Sequence, residues 1–450
     1  MNCGETKMRK PNVIIIMTDD QGYGDLSCMG AEDFRTPHLD AIASEGIRFT
    51  SMYSASPVCS PSRAALLTGR YPANAGVRAI LAGHRKASGL TPAVPTIASA
   101  LKKLGYRTGI SGKWHLGLKN ECRPNSNGFD EFNGFLAGCV DYYSHIFYWG
   151  MADGNTNPVH DLWENENEVY ANGEYMTERI TEKSIEFIGN NGDRPFFLYV
   201  AYNAPHYPMH APEKYMKRFS HLPKDRQLMA AMISAVDDGV GEIRAELERR
   251  NLLENTIIYF QSDNGPSRES RNWLDGNEDP YYGGSAGIFS GHKFSLFEGG
   301  IRVPALLYWK GTVESRVIDA PHIATDIFPT VLELCGGTPE EYELDGVSLR
   351  QMLFGNDEAQ HEYIFWEMED QTAVRKGRYK LVLNGRTEEG EAPRADVFLA
   401  DLENDPGEKQ NLADALPALC AELKQAALSW RDGVEKTWKD KFEGNYTTLA

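Results

Sequence analysis

Long apolar runs are missing from this sequence. No stretch approaches the roughly 18 residues that a membrane-spanning helix needs, so no span is expected. The N-terminal MNCGETKMRKPNVIIIMTDD starts basic, but its apolar run, VIIIM, stops at two aspartates and is too short for a signal-peptide core. As it stands the chain reads as cytoplasmic. If a leader had been trimmed, a periplasmic, lipoprotein or secreted placement would follow, with Cys3 as the remnant of a lipid anchor; Met8 is an alternative first residue. Paired cysteines are missing as well. Seven cysteines, at 3, 28, 59, 122, 139, 335 and 420, form no CxxC, and a 450-residue chain has no need of staples. The expectation is free thiols in a reducing compartment. Basic charge is in deficit: 46 Lys and Arg face 64 Asp and Glu, for a formal net charge of −18, which argues against a nucleic-acid partner. An anionic substrate would need a local basic pocket held against the overall field. Repeats and low-complexity segments are absent, and 41% hydrophobic with 24% charged residues leaves no case for disorder.

What is present is strand alternating with helix. NVIIIMT (12–18) is a continuous apolar run, as expected of a strand buried on both faces. TPHLDAIASEG (36–46) reads as a helix with Thr36 as N-cap, Pro37 at its first position and Gly46 as terminator. A short helix over 95–105 closes at Gly105 and a strand over 106–112 follows. FFLYVAYNA (196–204), TIIYFQS (256–262) and VPALLYWK (303–310) read as further strands, and 226–251 and 320–336 as helices. This alternation predicts a mainly parallel sheet with helices on both faces. After about 355 the pattern changes to short strands (YIFWEM, TAVRKGRYKLVLN, ADVFLADL) and a closing amphipathic helix over 416–438. The division expected is a large α/β domain over 10–355 and a small α+β unit over 356–450 carrying an antiparallel sheet.

The reactive residues follow strand ends. Asp19 and Asp20 come directly after NVIIIMT, Lys113 and His115 after YRTGIS, His206 after FFLYVAYNA, and Asp263 and Asn264 after TIIYFQS. In an open α/β sheet, ligands bind beyond the carboxyl ends of the strands, so these four groups converge on one rim. Each also has an ordinary reading. Asp19-Asp20 can be a turn or cap, Asp263-Asn264-Gly265 a turn, His206 a structural histidine, Lys113-x-His115 no motif at all, and Lys293 a surface lysine. Together, three carboxylates and an amide oxygen make an oxygen cage that suits Ca²⁺, with Mg²⁺ the other candidate, and not zinc.

PVCSPSRAALLTGR (57–70) sets Cys59 before a helix read from about Arg63 to Thr68, capped by Ser60 or Ser62 and stopped by Gly69. One reading is a capped helix with a buried cysteine. The other is a thiolate nucleophile at a helix N-terminus, with Arg63 adding a fixed positive fork.

These segments resemble the type I, formylglycine-dependent sulfatases. Cys59-Ser60-Pro61-Ser62-Arg63 matches their C-x-P-S-R core and AALLTGRYP continues it. GYRTGISGKWHLG, TDDQGYGDLSCMG, SDNG and KFSLFEGGIRVP are similar to further family segments, in the family's order. DYYSH (141–145), PFFLYVAYNAPHYPMHAPEKYM and KFSLFEGG look most like the N-acetylgalactosamine-4-sulfatase (arylsulfatase B) branch.

The resemblance implies an alkaline-phosphatase-like fold, with 10–355 as the catalytic domain and 356–450 as the C-terminal subdomain. It implies that Cys59 is oxidised to formylglycine by a maturation enzyme that reads Pro61 and Arg63. One hydroxyl of the aldehyde hydrate would attack sulfur, and the other would then expel sulfate. Ca²⁺ would be held by Asp19, Asp20, Asp263 and Asn264 together with residue 59. Arg63 would anchor the hydrate, Lys113 and Lys293 would clamp sulfate, His115 would orient or deprotonate the hydrate, and His206, with Lys293, would protonate the leaving group. His145 and His84 are candidates for sugar contact, His145 having a structural loop role as its alternative. The substrate implied is a sulfated small saccharide of galactose or N-acetylgalactosamine type. The alternatives are a phosphonate or phosphate monoester hydrolase of the same superfamily, a choline-sulfatase-like enzyme, or a non-catalytic binder of sulfated glycans if Cys59 stays a thiol. The segments SGKWHLG and KFSLFEGGIRVP favour sulfate over phosphate, and the aromatic-rich 141–163 favours a sugar over choline.

Overall fold

The computed structural model describes residues 10–148, 158–269, 281–356 and 359–444. Cys3, Met8 and part of the 141–163 segment lie outside the described residues.

Asn12–Thr18 is buried at every position, and its neighbours in the sheet explain why. Phe196–Ala201 and Thr256–Ser262 flank it in parallel register, Arg107–Lys113 lies beyond the first, and Glu131–Phe135 beyond that, all parallel. Ala305–Tyr308 runs antiparallel on Thr256–Ser262. With Ile47–Phe49 and Arg316–Ile318 at one edge and Trp163–Glu164 and Asn167–Glu168 at the other, the described residues make a ten-stranded sheet. Alternate residues of the central strand serve opposite layers. Val13, Ile15 and Met17 pack with residues of the helices Cys59–Thr68, Ile97–Lys103 and Ile327–Leu334. Ile14 and Ile16 pack with Pro37–Glu45, Met176–Gly189 and Lys224–Arg249. An apolar run without polar alternation is what two covered faces require. The layers leave only the strand ends open to polar chemistry.

The C-terminal strands Ile364–Met368, Gln371–Lys376, Tyr379–Leu383 and Val397–Asp401 form an antiparallel sheet in sequence order. One face carries Val374, Leu381 and Leu399 against Leu423 and Ala427 of the helix Pro417–Lys441. The other carries Trp366, Ala373, Val382 and Phe398 against Tyr53, Val58, Ala65 and Phe297. Val58 and Ala65 belong to the segment around Cys59, so the small sheet buttresses the helix that bears the cysteine. A buried ionic cluster crosses the same contact. Lys380, fully buried, donates to Glu298 Oε1 at 2.9 Å and lies 3.1 Å from Glu408 Oε1.

Three local expectations change. The helix expected over 320–336 begins only at Ile327, because Pro321 keeps the chain extended before it and His322–Ile323 pairs in parallel with Met52–Tyr53. Thr36 precedes the helix Pro37–Glu45 but does not cap it; its hydroxyl hydrogen-bonds Ser27 at 2.9 Å instead. The strand expected over 303–310 is shorter, Ala305–Tyr308, and antiparallel. No disulfide joins the six described cysteines. No described helix is long and apolar enough to cross a membrane.

Candidate active site

The ends of four neighbouring strands deliver the acidic and basic side chains to one place. Asp19 follows the central strand, and Asp20 takes a left-handed backbone conformation, φ 63°, that turns the chain sharply there. Asp20 N–H donates to Asp263 Oδ1 at 3.1 Å, tying together strand ends 243 residues apart. Asn264 Nδ2 donates to Asp20 Oδ1 at 2.7 Å. Arg63 grips Asp263 Oδ2 through Nε at 3.0 Å and Nη2 at 2.8 Å, and lies 3.5 Å from Asp19 Oδ1. Lys113, the last residue of its strand, donates to Asp19 Oδ2 at 2.6 Å. Asp19, Asp263, Asn264, Arg63 and Lys113 are all fully buried.

Two oxygens in this cluster have no hydrogen-bond partner: Asp19 Oδ1 and Asn264 Oδ1. Buried acceptors are normally satisfied, so orphaned ones side by side with three carboxylates fit a hard cation bound through oxygen. The carboxyls report the same strain. Burial, then the carboxylates of Asp19, Glu269 and Asp263, push Asp20 up to about 7 despite Lys293. Asp263 is raised by burial and by Asp19. A divalent cation would relieve both.

Cys59 opens the helix Cys59–Thr68, four residues earlier than the sequence suggests. Val58 is its extended N-cap and makes no side-chain cap. Ser60 and Ser62 are therefore inside the first turn: the Ser60 hydroxyl accepts Leu81 N–H at 3.2 Å, and the Ser62 hydroxyl makes no bond. The thiol is not a ready thiolate. Burial pushes it up to about 11, and Lys113 and Lys293 do not make up the difference. A helix N-terminus and nearby cations favour thiolate only when water or a close counter-charge covers the desolvation cost, and this sulfur is 2% exposed.

The two histidines of the site are pushed toward the neutral form. His115 is held well below its ordinary value by burial and then Lys113, and His206 by burial and then Lys293. The basic character of the pocket therefore comes from Arg63, Lys113 and Lys293, not from two protonated histidines. His115 sits in a left-handed conformation and donates from Nε2 to Leu81 O at 3.2 Å, which leaves Nδ1 a buried acceptor without a partner. Gly138 makes room for it; a Cβ there would meet the ring at 2.7 Å. His206 donates from Nδ1 to Tyr207 O at 2.6 Å, so its Nε2 accepts from Lys293 Nζ at 3.3 Å.

A cavity opens onto these groups. It is lined by Cys59, His115, His206, Lys293, Glu269 and apolar walls that include Leu81 and Phe147. Two residues named from the sequence are not brought there. His145 lies in a buried loop with Nε2 bonded to Glu174 O at 3.1 Å, and His84 accepts Lys86 N–H at 3.2 Å; neither lines the cavity. Glu269 and Tyr207 were missed. Tyr207 is adjacent to His206 and was legible by proximity, whereas Glu269 follows SDNG in a loop with no periodicity to mark it.

The sequence model of the family described as Sulfatase matches residues 11–337. The chain is 35% identical to human arylsulfatase G over 395 residues, covering 80% of this chain and 72% of that protein. It is 33% identical to dog N-acetylgalactosamine-6-sulfatase over 392 residues, with 82% and 71% covered. Among solved structures, Ps i-CgsB in complex with k-i-k-neocarrahexaose superposes with a TM-score of 0.84 at 32% identity, covering 98% of this chain and 95% of that one. The sulfatase PsFucS1 from Pseudoalteromonas sp. gives 0.77 at 26% identity, with 96% and 91% covered.

Proposed function

The chain belongs to the sulfatase family, an alkaline-phosphatase-like fold of sulfuric ester hydrolases, and on that premise we propose that it removes sulfate from a saccharide of galactose or N-acetylgalactosamine type, using formylglycine matured from Cys59 and Ca²⁺ held by Asp19, Asp20, Asp263 and Asn264. The observation that carries the proposal is the pair of orphaned buried oxygens, on Asp19 and Asn264, set among three carboxylates in the same site as Cys59 and two lysines. Relatives named for N-acetylgalactosamine and solved with neocarrahexaose support the sugar class.

Ca²⁺ would supply charge neutralisation at the sulfate and at residue 59. Formylglycine, once hydrated, would supply a hydroxyl nucleophile whose geminal partner can expel sulfate without attack by water. The rest falls to the chain. Arg63 fixes Asp263 and stands one helical turn from residue 59, so it holds the metal side and the nucleophile in register. Lys113 and Lys293 present ammonium groups to the sulfate oxygens. His115 Nδ1 is the acceptor free to take a proton from residue 59. Lys293 donates to His206 Nε2, and this pair supplies the proton to the leaving oxygen. Leu81 and Phe147, apolar walls of the cavity, would limit water at the reacting centre. Residues 10–355 would carry this chemistry, and the C-terminal sheet packed against Val58 and Ala65 would support it.

Maturation must precede folding. Cys59, Pro61 and Arg63 are all buried in the folded chain, so a formylglycine-generating enzyme would read them while the segment is extended.

The matured protein should release sulfate from aryl sulfates and sulfated galactose or N-acetylgalactosamine far faster than phosphate from the matching phosphate esters. Dialysis against a chelator should remove the activity and Ca²⁺ restore it. Equal or faster phosphate release would favour the phosphate-ester reading, and unchanged turnover after chelation would refute the metal assignment.

A further inference from the structure

Glu269 lines the cavity, and the chemistry above gives its carboxylate no task. Its side chain is 5% exposed, and it is the sole carboxylate among the described residues lining the space around Cys59, His115, His206 and Lys293. Oε2 accepts from Lys293 Nζ at 2.7 Å and from the Ser267 hydroxyl at 2.9 Å, and Oε1 accepts from the Tyr207 hydroxyl at 3.4 Å. The Ser267 hydroxyl in turn accepts the Glu269 N–H at 3.1 Å, so the loop fixes its own carboxylate.

An ammonium has three N–H donors. Those of Lys293 go to Asp20 Oδ2 at 3.0 Å, His206 Nε2 at 3.3 Å and Glu269 Oε2 at 2.7 Å. A sulfate oxygen bound by Lys293 takes one of these places, and Glu269, the shortest contact of the three, remains beside it. The ring carbon bearing the ester then lies next to Glu269. The oxygen substituent on the neighbouring ring carbon, about one hydrogen-bond length from the ester oxygen, would come within reach of the carboxylate. A carboxylate accepts and cannot donate, so a hydroxyl satisfies it. A second sulfate or carboxylate at that position would instead set like charges together in a site poor in water.

We propose that Glu269 is a specificity-determining residue that selects saccharides with a free hydroxyl next to the scissile sulfate ester and rejects those carrying a second anionic group there. The proposal rests on the sulfatase reading above. The competing role is that Glu269 merely neutralises and steadies Lys293. In that case loss of its charge affects every substrate alike.

The test compares kcat/KM for a monosulfated sugar with a free vicinal hydroxyl and for its vicinally disulfated counterpart, both on one preparation, so that the folded fraction cancels in the ratio. Glu269→Gln keeps an acceptor and removes the charge. It should raise the disulfated-to-monosulfated ratio by about tenfold or more over wild type. Glu269→Ala should raise the ratio too, while lowering kcat/KM for the monosulfated sugar by roughly tenfold, mainly through KM. An unchanged ratio in both variants, or a Gln variant inactive on both sugars, overturns the proposal. Wild-type turnover of an aryl sulfate, which has no sugar hydroxyl, separates the two levels. Without it the sulfatase reading fails, whereas aryl turnover with an unchanged ratio removes only the role of Glu269.

Discussion

Replacing Cys59 by alanine lowers sulfate release by about ten-thousand-fold or more, the scale at which loss of a nucleophile is felt elsewhere. The substitution removes the side chain assigned to become the aldehyde, and Ser60 and Ser62 cannot stand in. Ser60 is committed to Leu81, and Ser62 lies further along the helix, away from the cavity lining. The fold should persist. The helix start owes nothing to a side-chain cap, and deleting one buried sulfur costs about 1 kcal/mol. Circular dichroism and the melting midpoint should therefore match wild type closely while sulfate release vanishes. Near-normal turnover in the alanine variant would falsify the assignment of residue 59.

Lys380→Met costs about 3–5 kcal/mol of folding stability, because it leaves buried carboxylates without their shared cation. Glu298 is the anion of the cluster: burial works against it, but Lys380, Arg302 and Arg375 hold it down to about 2. Burial pushes Glu408 up to about 7 even with Lys380 present. Removing the lysine raises both carboxyls in the folded state, Glu408 still further above its unfolded value. The deficit is therefore present at neutral pH and shrinks as the pH falls and the carboxyls protonate. Denaturant midpoints at pH 7 and pH 5 read this directly. A loss under about 1 kcal/mol at pH 7, or a deficit that grows on acidification, contradicts it. The effect reaches the site: the C-terminal sheet that holds Lys380 packs on Val58 and Ala65, and on Phe294 next to Lys293.

Both the sheet and the convergence of its polar ends could be read from the sequence, for a physical reason. Val13 to Met17 is apolar on both faces, which only a strand between two layers requires, and the polar residues that interrupt such runs have nowhere to go but the rim. The clustered carboxylates and the lysines are legible on that ground. Cys59 was harder. Helix dipole and Arg63 argue for a thiolate, but the cost of burial, which only packing sets, outweighs both. Ser60 and Ser62 have the composition of caps, yet Val58 takes the cap position, and Pro61 is tolerated behind it because its missing N–H falls in the first turn, where no intrahelical partner is available. The start of 320–336 was misplaced because the pairing of His322–Ile323 with Met52–Tyr53 depends on a segment about 270 residues away. Glu269 left no local signal. Its meaning comes from Lys293, 24 residues on, and from Tyr207, 62 residues back.

The most direct test of the account is the mass of the peptide spanning residue 59, taken from a preparation that releases sulfate. The account predicts the aldehyde and its hydrate at that position. An unmodified thiol in a fully active preparation would contradict it.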